Sequence, residues 1–153
     1  MLFRSRYVAP EMKDWTPIFR SQHMLILQTS IGNTPNKLFL MDTGSGKSMI
    51  SPEAAREVAY ITSFNDSKIQ GISGQVMNPL QADKVKIVFA DIGQVVNRMD
   101  AFDMTGISRS AGVSISGIIG FPALRQLVIS IDYRDDLVHV VNDPKKGYHP
   151  IAE

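Results

Sequence analysis

Lys37-Leu38-Phe39-Leu40-Met41-Asp42-Thr43-Gly44-Ser45 runs from an apolar segment straight into a small polar turn. An apolar run of this length bounded by turn residues reads as a strand. It carries the Asp42 carboxylate to the rim of whatever sheet the strand joins. Gly44, without a Cβ, lets another chain or a substrate approach the turn closely, and the Thr43 and Ser45 hydroxyls can bond to a carboxylate or to facing backbone. By itself the Asp-Thr-Gly triplet also suits a plain turn. Upstream, residues 24–31 form a second β-rich run, joined to the first by Gly32-Asn33-Thr34-Pro35-Asn36, so the two read as an antiparallel hairpin. Downstream, Ser51 can cap a helix that opens on Pro52, with Glu53 adding a favourable charge to its first turn.

Further along, residues 69–77 hold Gly71 and Gly74 around Ile72-Ser73, as in an exposed hairpin. Residues 82–89 alternate as a strand with one wet face, and Asp91-Ile92-Gly93 turns the chain into another at 94–102. Residues 103–114 follow no regular pattern. A strand at 115–119 ends at Gly120, and Pro122 opens a short helix reaching to about Leu127. Residues 128–133 and 137–141 then pair across Arg134-Asp135-Asp136. Roughly nine short strands with one or two short helices, and no βαβ repetition, predict a predominantly antiparallel all-β barrel or sandwich.

The composition excludes several chemistries. Of 153 residues none is Cys, which rules out zinc–thiolate and iron–sulfur sites, a redox dithiol and a thiol nucleophile. Sixteen Lys and Arg against fifteen Asp and Glu leave a formal charge of +1, so no nucleic-acid partner is indicated. No run approaches the ~18 consecutive apolar residues of a membrane span, and a soluble domain is expected. The start of the chain lacks a secretory apolar core. Residues 1–22 read as an arm or linker, 23–141 as the folded domain and 142–153 as a tail. His23, His139 and His149 lack metal-ligand spacing, and Ser48, Ser73 and Ser116 show no readable His/Asp arrangement. Met24, Met41, Met49, Met77, Met99 and Met104 are expected to fill core. Gly46-Lys47-Ser48 copies the end of a phosphate-binding loop. However, Met41 stands where that loop needs its first glycine, and the helix begins too late, at Pro52.

Taken in order, four features resemble the retropepsin-like aspartic proteases, in particular the bacterial single-lobe branch related to retroviral proteases and to one lobe of pepsin. They are Phe39-Leu40-Met41-Asp42-Thr43-Gly44-Ser45, the hairpin Gln70-Gly71-Ile72-Ser73-Gly74, Gly117-Ile118-Ile119-Gly120 followed by Phe121-Pro122-Ala123-Leu124, and Val128-Ile129-Ser130-Ile131-Asp132-Tyr133. The resemblance implies a closed antiparallel β-barrel and an aspartic endopeptidase acting on peptides or proteins, with no metal or cofactor. Asp42 would be the catalytic acid, and Thr43, Gly44 and Ser45 would form its loop, with the Ser45 hydroxyl bonding to the catalytic carboxylate. Ile118, Ile119 and Gly120 would pack behind that loop, and Gln70, Gly71, Ile72, Ser73 and Gly74 would form a flap over the substrate.

Such enzymes hold one water between two carboxyls that share a proton, because like charges that close cannot both ionise. Only one Asp-Thr-Gly is present, and Asp91, Asp100, Asp103 and Asp132 lack the small-residue turn after them. The second aspartate would therefore come from a homodimer partner or from another lobe. The resemblance favours an exported or periplasmic setting. The alternative implied function is a catalytically silent module of the same fold that binds peptides or dimerises.

Overall fold

A computed structural model describes residues 10–62 and 81–143. Strand β3 (Met24–Ile31) and strand β4 (Lys37–Asp42) pair antiparallel from Leu25↔Met41 to Thr29↔Lys37, as the turn residues between them predict. Next to β4 lies β8 (Gly117–Gly120), which runs parallel to it. It is followed by β5 (Met49–Ile50), β7 (Ile92–Ala101) and β6 (Gln81–Phe89). Pairing of β6 back onto β3, from Thr29↔Phe89 to Ile31↔Ile87, closes these strands into a barrel. Closure leaves no unpaired edge within the ring, which removes the usual hazard of an exposed sheet. A smaller sheet is made of β1 (Thr16–Pro17), β10 (Leu137–Asn142) and β9 (Leu127–Asp132).

The barrel is filled by alternate side chains of its strands. Phe39, Ile50, Ile87, Phe89, Met99 and Ile119 are fully buried there. Gly117 lies beneath the Phe39 ring, where a Cβ would overlap the ring edge and come 2.6 Å from the Met49 carbonyl oxygen, so an aromatic in β4 requires glycine in β8. A second cluster lies outside the ring. Ile26 on β3 meets Ala111 and Ile115, with Leu38, Leu40 and Ile107 packed around them.

Several elements differ from the sequence reading. Pairing is predominantly antiparallel, yet β4–β8 and β5–β7 are parallel, each joining strands that are not consecutive in the chain, with β8 inserted between the consecutive strands β4 and β5. The folded unit begins before residue 23. β1 pairs with β10, and β2 (Phe19–Ser21) pairs with β3. These strands are too short to show a periodicity. At the other end, β10 includes Asn142, and residues 144–153 lie outside the described residues.

Residues 103–114 are not irregular, since they contain the helix α2 (Thr105–Ala111). The tight turn before β7 is Ala90-Asp91, with φ of +45° and +64°, rather than Asp91-Ile92-Gly93. Both central residues of a two-residue hairpin loop take left-handed backbone, a geometry that sequence assigns most readily to Asn or Gly. With α1 (Pro52–Thr62) and α3 (Phe121–Leu124), the described residues hold three α-helices where one or two were expected. None is long and apolar enough to cross a membrane.

Candidate active site at the end of strand β4

β4 delivers Asp42 to the barrel rim, in register with Gly120 at the end of β8. The chain then turns tightly. The Ser45 amide donates to the Asp42 carbonyl at 3.2 Å, and the Gly44 amide donates to Asp42 Oδ1 at 2.8 Å. Among the described residues no donor reaches Oδ2, and the side chain is half-buried. One carboxylate oxygen is therefore oriented by its own loop while the other is left without a donor among the described residues. A Cβ on Gly44 would lie 3.1 Å from Oδ1, crowding the oxygen that its amide holds. Thr43 is exposed, and its hydroxyl has no partner among the described residues.

Behind the turn, the Phe121 amide donates to the Ser45 carbonyl at 2.8 Å, and the Gly120 amide donates to the Ser48 hydroxyl at 3.0 Å. Ser48 is buried, so its oxygen takes up an amide that water does not reach. Gly120 is pressed against the loop itself. A Cβ there would overlap the Lys47 carbonyl, 2.5 Å from its carbon, and sit 3.0 Å from the Ser45 carbonyl oxygen. Ile118 and Ile119 are buried beside Leu40 and Met41 of β4, to which they are paired. β8 thus fixes the height of the Asp42 loop through backbone contact.

Ser45 differs from the expectation, because its hydroxyl donates to the Lys47 carbonyl at 2.7 Å and not to the Asp42 carboxylate. Here the serine braces the loop internally. In the sequence Lys47 reads only as part of a phosphate-loop look-alike, and Asp100 only as one of the acids that lack a small-residue turn after them. Together they form an ion pair that ties the loop to β7. Gln81 Nε2 donates to the other Asp100 oxygen at 2.9 Å. The Lys47 hydrogen bond, aided by Gln81 and by the charges of Lys47 and Arg98, holds the Asp100 carboxyl below its ordinary value against the opposing effect of burial. Chain position gives no hint of this contact, because β5 and β7 meet only through the parallel pairing Met49↔Asp100 and Ile50↔Ala101.

The proposed flap residues, Gln70, Gly71, Ile72, Ser73 and Gly74, lie outside the described residues. Among the described residues no group of three or more His, Asp or Glu side chains could hold a metal ion. His139 stacks on Trp15 of the N-terminal arm, with ring centroids 5.5 Å apart.

No family model and no curated protein matches the chain. Solved structures do. An aspartic proteinase from Irpex lacteus aligns with a TM-score of 0.52 at 12% identity, covering 85% of this chain and 46% of that one. The fold is retropepsin-like. Also similar are a retropepsin-like aspartic protease from Rickettsia conorii (TM-score 0.48, 13% identity, 82% and 94% of the two chains) and the retroviral protease-like domain of Ddi1 from Leishmania major (TM-score 0.47, 14% identity, 80% and 96%). The chain spans just under half of the Irpex enzyme's length.

Proposed function

We propose that the chain is an aspartic endopeptidase in which Asp42 supplies one half of a catalytic dyad and a second copy, or a second lobe, supplies the other. The observation that carries this reading is the state of the Asp42 carboxylate. It stands at a strand end on the barrel rim, with Oδ1 held by the Gly44 amide at 2.8 Å and Oδ2 without a donor among the described residues.

A carboxylate oriented on one side and open on the other is suited to face a like group across a water. Two such groups close together cannot both be charged, so they retain one proton between them. The ionised member takes a proton from the water as it attacks the peptide carbonyl. The protonated member hydrogen-bonds to that carbonyl oxygen as negative charge develops on it. Exposed Thr43 and Gly44 sit where a facing loop would meet this one.

The test is hydrolysis of a peptide library by the wild type and by Asp42→Asn, with thermal melting to confirm that both are folded. The expected result is cleavage by the wild type and a loss of at least about a thousandfold in the variant, as for removal of a group on which the reaction depends. Cleavage that persists in a folded Asp42→Asn protein would overturn the mechanism. A wild type that cleaves nothing would leave a peptide-binding or dimerising module of the same fold.

A further inference from the structure

Beside the Asp42 loop, on the flank formed by β7 and α3, lies an open cavity of about 310 Å³. Val95, Val96, Pro122 and Ala123 supply its apolar lining. Two cations, Lys47 and Arg98, stand on its wall, and none of its lining residues is acidic. The cavity is tied to the candidate site by short links. Lys47 belongs to the Asp42 loop, Ser48 takes the Gly120 amide, and Pro122 lies two residues beyond the residue in register with Asp42.

The two cations differ in what they have left to offer. Lys47 is already neutralised by Asp100. Arg98 is exposed and makes no hydrogen bond or ion pair among the described residues, although Asp83 stands opposite it in register on β6 and its charge is felt weakly at Asp100. Its outward position follows from a break in strand alternation. Lys84 adopts φ of +51°, and beside it on β7 both Asn97 and Arg98 are exposed where one of two neighbours would ordinarily point inward. A free guanidinium lining the same cavity as apolar side chains offers a planar fork of donors to a carboxylate, beside a surface for the carbons that carry it.

We infer that this cavity binds a carboxylate of the peptide substrate, with Arg98 as its specificity-determining residue. The inference rests on the reading of the Asp42 rim as a peptide site. The cavity is lined by Lys47 and Ser48 of the Asp42 loop but not by Asp42 itself, so it would serve a residue near the scissile bond and not at it. The carboxylate is either an acidic side chain or the C-terminus of a short peptide.

The experiment uses one extended peptide with Glu, Gln or Lys placed in turn at each position, each version with a free and an amidated C-terminus. Cleavage is measured with the wild type, and binding is measured by fluorescence polarisation with Asp42→Asn. At one position Glu is expected to be favoured over Gln by about fivefold, the scale of a single exposed ion pair. Arg98→Gln should abolish that preference, Arg98→Lys should retain part of it, and Arg98→Glu should turn it toward Lys. A preference that follows amidation instead assigns the site to the C-terminus. Cleavage without any charge preference, or a preference unaltered in Arg98→Gln and Arg98→Glu, would overturn this inference and leave the peptidase reading intact. Binding with an Arg98-dependent preference but no cleavage would do the reverse. Neither cleavage nor preferential binding would remove both.

Discussion

The side chain that Gly120 lacks would occupy the space now filled by the Lys47 carbonyl, and that carbonyl is backbone inside a braced loop. Gly120→Ala must therefore push the Asp42 loop away from β8. A cost of about 1–3 kcal/mol in urea unfolding is expected, as for overpacking elsewhere, together with a loss of peptide cleavage larger than the lost stability alone produces. Unchanged unfolding would show that the loop yields freely. Asp100 makes a different kind of contribution. Its carboxyl is depressed in the native state, first by the Lys47 hydrogen bond, so the folded protein binds this proton less readily than the unfolded chain. The stability it adds is thus fully present well above the ordinary value of 3.8 and is lost as pH falls through the lower native value. Melting temperatures of the wild type and Asp100→Asn should differ at neutral pH and converge as pH drops below 3.8. A gap that widened with acid would contradict this sign.

Among the elements, α2 shows how a short helix escapes a sequence reading. It has a single buried side chain, Ala111, and contains Gly106 and two serines, so neither apolar period nor propensity marks it. Its start is fixed by Asp103, whose Oδ1 accepts from the Thr105 amide at 2.9 Å and from its hydroxyl at 2.6 Å. Its end is fixed by Gly112, which takes left-handed backbone at φ +74° and donates to the Ser108 carbonyl. Those two residues are the available signal, and a cap without a periodic body is weak. Gly112→Ala should cost about 1 kcal/mol in denaturant unfolding, because L-residues are strained in that conformation. A neutral result would mean that the cap relaxes. The opposite case is α1, where Ser51, Pro52 and Glu53 announce the start and Ser51 Oγ does accept from the Ala54 amide at 3.1 Å. The β4 strand and its turn are legible for a related reason. Strand, carboxylate, glycine and β8 partner are each local patterns, whereas the Lys47–Asp100 pair and the bracing role of Ser45 depend on how the folded chain brings its parts together.

At the scale of the whole molecule, the barrel holds one Asp42, and the smaller sheet shares its core through Leu127, Val138 and Val140. Arg20 of β2 links the two sheets, donating to Asp136 Oδ1 at 2.6 Å and to the Tyr133 carbonyl at 2.8 Å while lying 5.5 Å from the Tyr133 ring centre. The proposed chemistry needs a second acid that this unit does not place beside the first among its described residues, and the two possible sources differ in a measurable way. If two copies meet on an isologous two-fold, each copy's Asp42 faces the other's, and a dimer with one Asp42→Asn subunit has half a dyad. Wild type co-refolded with an equal amount of Asp42→Asn would then leave about one quarter of the dimers fully wild type, so activity falls to about half of that from the same wild-type protein alone. If the second acid instead lies in another lobe of the same polypeptide, each wild-type molecule carries its whole dyad and the added variant changes nothing. Sedimentation of the mixed sample supplies the required control, since mixing has meaning only where the mass is that of a dimer. A dimer of undiminished activity after mixing would separate assembly from catalysis and leave the two-copy dyad without support.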